Sequence, residues 1–124
     1  MITVKNLYKS FDESVVLNNI STRFENGKTN LIIGQSGSGK TIFMKCILGL
    51  YGINSGEIFF GDKSFQKMNI KERSILRQEI GMVFQGSALF DSMTVEENIM
   101  FPMRMLTKKS FKEMQDRANE VIAR

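Results

Sequence analysis

Apolar and polar residues alternate along Ile2-Thr3-Val4-Lys5-Asn6-Leu7, and that period of two predicts a half-buried strand. Phe11-Asp12-Glu13-Ser14 reads as a turn, and Val15-Val16-Leu17 opens a second extended stretch. Ile20-Ser21-Thr22-Arg23-Phe24 alternates again, up to the hairpin-type turn Glu25-Asn26-Gly27-Lys28. Thr29 to Ile33 follows as an apolar strand. A helical pattern then runs from about Gly39 to Leu48 and stops at Gly49 and Gly52. Ser55-Gly56 predicts a turn, and Glu57-Ile58-Phe59-Phe60 a strand ended by Gly61-Asp62. Asn69 and Glu72 have the spacing of a helix cap, which predicts a short helix to about Gln78. Ile80-Gly81-Met82-Val83-Phe84 reads as a buried strand. Thr94 with Glu97 and Ser110 with Glu113 repeat the cap spacing. The first opens a helix that Pro102 should end or kink. The second opens a helix with Phe111, Met114, Ala118, Val121 and Ile122 on one face. The whole is an α/β pattern with its antiparallel β layer in front.

Between the strand at 29–33 and the helix from Gly39 lies the most informative stretch, Gly34-Gln35-Ser36-Gly37-Ser38-Gly39-Lys40-Thr41. It is the phosphate-binding pattern Gly34-x-x-x-x-Gly39-Lys40-Thr41 in the strand–loop–helix setting that gives the pattern meaning. The glycines let successive backbone N–H groups point inward as an anion nest. The helix that follows adds unpaired donors and the positive end of its dipole. Lys40 supplies a point charge for β- and γ-phosphates, and the Thr41 hydroxyl stands where a magnesium ion is held. A flexible Gly/Ser linker would carry polar flanks. Here both flanks are apolar.

Composition narrows the classes. At 124 residues the chain has the length of one domain, and 42% hydrophobic with 24% charged residues is ordinary for a globular protein. The net charge of +4 comes from bases scattered along the chain without a dense run, so nucleic acid is not expected as a partner. The single cysteine, Cys46, falls on an apolar helical face and reads as a small buried hydrophobe. With no histidine, Cys/His metal clusters are excluded. Neither a signal peptide nor a run of membrane-spanning length is present, which predicts a cytoplasmic protein that can dock on a membrane partner. GTPases and nucleotide kinases usually open directly with the phosphate loop, whereas here a β layer precedes it.

Several segments then agree in order and spacing: Lys9-Ser10-Phe11, Val16 to Ser21, the loop 34–41, Ser55-Gly56-Glu57-Ile58 and Gly81-Met82-Val83-Phe84-Gln85. Together they resemble the first half of an ABC transporter ATP-binding subunit, a P-loop NTPase, through its Q-loop. The stretch Gln85-Gly86-Ser87-Ala88-Leu89-Phe90-Asp91-Ser92-Met93-Thr94-Val95-Glu96-Glu97-Asn98-Ile99-Met100-Phe101-Pro102 resembles most the ATPases of Mce/Mla-type lipid-trafficking transporters. The resemblance divides the chain into a β layer and loop strand (1–33), loop and first helix (34–49), strands, short helix and Q-loop strand (50–85) and the start of a helical subdomain (86–124). It implies the antiparallel β layer and first part of a RecA-like core.

The resemblance also implies roles. ATP and Mg²⁺ are the cofactors, held by Gly34, Gln35, Ser36, Gly37, Ser38, Gly39, Lys40, Thr41 and Ile42. Phe11 matches the aromatic that stacks on adenine, against the alternative of an ordinary core phenylalanine. Val16 packs beside the nucleoside or simply in the core. Gln85 matches the amide that binds Mg²⁺ beside Thr41 and positions the attacking water; as a bare residue it is a polar strand end. Ile42 departs from the pattern, since most relatives have a second hydroxyl there. The implied partners are a second ATP-binding subunit and membrane-spanning permease subunits, which place the protein on the inner face of the cell membrane. The permease-facing surface would lie between Gly86 and about Met105, where two or three of Phe90, Met93, Met100, Phe101, Met103 and Met105 are expected to be exposed.

The family's signature motif, its Asp-Glu strand end and its switch histidine have no counterpart in these residues. ATP is therefore expected to bind without efficient hydrolysis, with Lys40 and Gln85 as the catalytic residues present. The strand before the loop is expected to lack pairing partners and leave apolar surface uncovered. A stand-alone nucleotide-binding module and another P-loop enzyme, a kinase or GTPase, are the alternatives.

Overall fold

The alternation at the front of the chain produces an antiparallel pair, β1 (Ile2–Phe11) and β2 (Ser14–Phe24), in the computed structural model, which describes residues 1–86 and 88–124. Asp12 turns the chain with φ of 49°, a left-handed backbone that Asp and Asn tolerate best among residues with a side chain. The ladder is not uniform. Asn6 (φ 47°) and Asn19 (φ 54°) also take the left-handed region, where the register shifts, and the Asn6 side-chain amide donates to Asn19 Oδ1 at 2.9 Å. These irregularities keep Val4, Leu7 and Leu17 on the buried face.

β3 (Ser55–Phe60) pairs antiparallel with the other edge of β1, and β4 (Lys63–Ser64) continues the sheet in the order β2-β1-β3-β4. Ser55-Gly56 is therefore the start of a strand and not the expected turn. Gly56, at φ 101°, lies where β3 passes so close to β1 that a Cβ would stand 2.4 Å from the Asn6 carbonyl oxygen. α1 (Lys40–Ile47) completes the core with Phe43, Cys46 and Ile47, against Val4, Leu7, Leu17, Ile58 and Phe65. Burial pushes the Cys46 thiol up from its ordinary value, with Lys9 acting weakly in the opposite sense, so it packs as a neutral hydrophobe. α2 (Ile70–Gln78) starts at the expected cap, with the Glu72 N–H donating to Asn69 Oδ1 and the Asn69 N–H to the Glu72 carboxylate. The Arg77 guanidinium donates to the carbonyls of Leu48 and Gly49 at the C-terminal end of α1, at 3.4 and 2.9 Å.

Two predicted strands are not strands. The segments 29–33 and 80–84 form no ladder among the described residues, and Leu31, Ile33 and Val83 are 84%, 82% and 98% exposed. A strand is completed only by its neighbours. These apolar segments have no strand beside them, and the apolar surface expected to stay uncovered is uncovered.

The chain folds as two compact units, Met1–Arg77 and Gln78–Arg124. The second holds α3 (Val95–Leu106) and α4 (Phe111–Ile122), packed through Met100, Met114 and Ala118. Both expected capping boxes are formed. Pro102 does not end α3, which runs on to Leu106. Its fixed φ suits a helix, and the turn beyond it is secured when the Thr107 N–H and hydroxyl both donate to the Met103 carbonyl. Asn98 clamps the preceding loop to α3, donating to the carbonyls of Phe90, Met93 and Thr94 and accepting from the Phe90 N–H. Phe90 and Met105 are exposed and Met100 is buried, within the expected number.

The boxes make this unit acid-sensitive. The N–H and hydroxyl of Thr94 and of Ser110 hold the Glu97 and Glu113 carboxyls below their ordinary 4.5. A carboxylate depressed on folding stabilises the folded state above its unfolded pKa and loses that contribution as pH falls through the folded one. Far-UV helicity is therefore expected to hold down to about pH 4.5 and to decline below it, and Glu97→Gln with Glu113→Gln should flatten that decline.

Candidate nucleotide site

The loop between 33 and α1 is shaped by backbone freedom at two glycines. Gly37 (φ 76°) and Gly39 (φ 90°) take left-handed conformations that side chains rarely adopt, and the Ser38 N–H donates to the Gln35 carbonyl at 3.2 Å between them. Gly39 is the N-cap of α1 and provides no side-chain oxygen, and the first turn carries no acidic residue. The N–H groups at this helix start are thus left for an outside acceptor, and the dipole adds to their pull on an anion. At the starts of α2, α3 and α4 a cap side chain instead accepts one of these N–H groups.

Close packing fixes where the loop sits. A Cβ on Gly39 would lie 3.1 Å from Val16 Cγ1 and 3.2 Å from Leu17 Cδ2, so the loop is seated on β2. A Cβ on Gly34 would lie 2.6 Å from Ser38 Oγ. Lys40 folds over the loop: its ammonium donates to the carbonyls of Gly34 and Gln35 at 2.6 Å each and stands 3.5 Å from Ser38 Oγ. One cation and the uncapped start of α1 are therefore held in one place by main-chain geometry. Gln35, Ser36, Gly37, Ser38 and Thr41 are exposed, and Ile42 is half-buried against the core. A cleft of about 300 Å³ opens beside the loop, lined by Leu17, Ile20, Phe24, Ile32 and Phe43. Its mouth is shared with the loop, since Ser38, Gly39 and Lys40 line it as well.

The structure brings Val16 against the loop, as just described. Phe11, at the end of β1, is 39% exposed and outside the buried core. Gln85 is exposed, in the second unit, at a bend instead of the expected strand end. Ser87 lies outside the described residues.

The surroundings of Phe11 were only partly legible in the sequence. Tyr51 meets its ring edge-to-face, with centroids 5.5 Å apart and planes at 80°. The Lys9 ammonium stands over the Phe11 ring at 4.6 Å, and Lys45 over the Tyr51 ring at 5.3 Å. Lys9 and Phe11 are two apart on β1, but no periodicity joins them to positions 45 and 51; only the folded chain does.

Comparison with known proteins agrees with this geometry. Residues 17–124 match the family model described as ABC transporter. The chain is 40% identical over 111 residues to the phosphonates import ATP-binding protein PhnC of Fusobacterium nucleatum, covering 90% of the chain and 44% of that protein. It is 38% identical to the L-cystine import ATP-binding protein TcyC of Bacillus subtilis, covering 98% of the chain and 51% of that protein. Among solved structures, the dimeric post-hydrolysis state of the ATP-binding cassette MJ0796 bound to ADP and Pi superposes with a TM-score of 0.83 at 28% identity, over 97% of the chain and 55% of that one. The chain thus spans about half the length of these relatives.

Proposed function

The chain belongs to the ABC transporter family, and on that premise we propose that it is the ATP-binding part of a transporter ATPase subunit that couples ATP binding and hydrolysis to movement of a solute across a membrane. The observation that carries the reading is the uncapped start of α1 behind Gly39, with the Lys40 ammonium held over the same loop. In this role the amides of 37–41 gather the phosphate tail and Lys40 neutralises its β- and γ-charges. Phe11 gives the base a ring face, and Val16 packs beside the nucleoside.

Mg²⁺ fits the donors at hand. It prefers oxygen ligands, keeps several waters and takes its charge compensation from the phosphates, so the exposed neutral hydroxyl of Thr41 suits it. When bound, it would supply electrostatic stabilisation of the charge that builds on the phosphoryl group. What these residues do is bind and orient. The signature motif and the Asp-Glu strand end expected of the family are not in these 124 residues. Phosphoryl transfer depends on several positioned groups acting together, and Lys40 with Gln85 supplies only two of them.

The relatives named above are importers of phosphonates and of L-cystine by their names. We therefore favour a small solute taken inward over the lipid suggested by residues 85–102, for which these relatives give no support. A second ATP-binding subunit and membrane permeases complete the proposed assembly, at the inner face of the membrane. No helix among the described residues is long and apolar enough to cross a membrane, so membrane attachment would come through those permeases.

Calorimetric titration is expected to show one saturable ATP site per chain in the presence of Mg²⁺, with phosphate release from the chain alone near background. Brisk turnover by the chain alone, or no ATP binding, would overturn the reading. Ile42 refines it. The hydroxyl usual at this place donates to the α-phosphate, a bond to a charged group that contributes about 1.5–3 kcal/mol. Ile42→Thr is therefore expected to tighten ATP binding by roughly tenfold or more. Equal affinities in the same titration would remove this role for position 42.

A further inference from the structure

Phe11 is the group proposed to stack on the base, yet its ring lies outside the buried core. It stands at the end of β1 beside the Asp12 turn, more than a third exposed. A phenylalanine placed so would have to give up rotamer freedom each time a base stacked on it.

The segment after α1 removes that freedom. Tyr51 is half-buried, packs against the core cluster and donates its N–H to the Lys45 carbonyl at 3.2 Å. Its ring lies under the Lys45 ammonium and meets Phe11 edge-to-face. Two more hydrogen bonds tie this segment to the end of β1: the Asn54 N–H donates to the Tyr8 carbonyl and the Ser10 N–H to Asn54 Oδ1, both at 2.9 Å. The two rings are therefore mounted on one frame. Lys45 lies on α1, whose first turn carries Lys40 and Thr41, about 7.5 Å along the helix axis from Lys40.

We propose that Tyr51 is a positioning residue for the nucleobase, holding the Phe11 ring in a fixed plane so that α1 sets both the phosphate end and the base end of the site. The inference rests on the reading of Phe11 as the base-stacking residue. An edge-to-face pair contributes a preference in ring orientation beyond simple burial. Tyr51 itself need not touch nucleotide.

The test compares affinity for ATP with affinity for inorganic tripolyphosphate, which has the charges and no base. Tyr51→Leu is expected to weaken ATP binding by roughly 2- to 12-fold and leave tripolyphosphate unchanged, while Tyr51→Phe behaves as the parent. Phe11→Ala is expected to cost ATP about 5- to 150-fold with tripolyphosphate again unchanged, and adding Tyr51→Leu to it should cost nothing more. Should Tyr51→Leu fail to fold, Lys45→Met, which frees the Tyr51 ring on one side, is read by the same ratio. Equal loss of both ligands would make Tyr51 a plain packing residue and overturn the proposal. Losses that add in the double variant would overturn it too. If Phe11→Ala leaves the ratio unchanged, the stacking role of Phe11 fails and the proposal falls with it. Undiminished tripolyphosphate binding would still leave the phosphate loop reading standing.

Discussion

Lys40→Ala is expected to weaken ATP binding by roughly 30-fold to several thousand-fold, about 2–5 kcal/mol, while the melting temperature stays near that of the parent. The two halves of that expectation come from the same geometry. The ammonium bonds only to the carbonyls of Gly34 and Gln35 and approaches Ser38 Oγ, on a loop whose other residues are largely exposed. Those carbonyls can turn to water when the side chain is removed, so little stability is lost. A triphosphate tail has no such substitute. The amides behind Gly37 and Gly39 contribute partial charges, and Lys40 is the one full positive charge seated on the loop among the described residues. Lys40→Arg is not expected to restore binding in full, because a planar fork replaces a compact point charge on a loop shaped around the latter. Calorimetry with ATP and a thermal melt on each variant read both quantities. An alanine variant that holds ATP as tightly as the parent would refute the site.

How much of this could be read from the residues depends on how local each interaction is. The cap pairs Asn69/Glu72, Thr94/Glu97 and Ser110/Glu113 fixed three helix starts, because each joins groups only three residues apart. The phosphate loop was legible for the same reason: its glycines, lysine and threonine act within one turn of chain. Strands were harder. The alternation of β1 and β2 found its partner next door, whereas segments 29–33 and 80–84 carry strand-like residues with no ladder beside them, and composition alone cannot say whether a partner is present. Gly56 reads as a turn for a related reason. Ser-Gly is a common turn pair, and only the approach of Asn6, distant in sequence, shows that its missing side chain serves strand pairing. Tyr51 lay still further out of reach, since its meaning rests on contacts from β1 and α1 at once. Gln85 stands between these cases: its identity was legible, but the strand expected to place it is not formed.

Gly56→Ala is expected to damage the first unit severely, lowering its stability by about 4 kcal/mol or more. Two costs combine. At φ 101° a residue with a Cβ is strained whatever the space around it, by about 1–3 kcal/mol. The added atom would also stand 2.4 Å from the Asn6 carbonyl oxygen and 2.7 Å from that of Lys5, and both are backbone atoms that cannot rotate aside. Relief requires β3 to move off β1 at the register shift between Lys5 and Tyr8. That displacement drags Ile58, fully buried two positions along the strand, away from Val4 and Leu7. β1 is paired on both edges, so loosening it also disturbs β2, where Val16 and Leu17 seat Gly39 of the phosphate loop. Loss of ATP binding should therefore accompany loss of the fold, in contrast to Lys40→Ala, where binding alone is lost. Gly52→Ala is the control: a Cβ there meets nothing within 4 Å, and its stability should change by less than about 1 kcal/mol. Urea unfolding followed by tyrosine fluorescence reads the first unit, where Tyr8 and Tyr51 lie. A Gly56→Ala midpoint equal to that of the parent would show that β1 and β3 do not approach as closely as this packing requires.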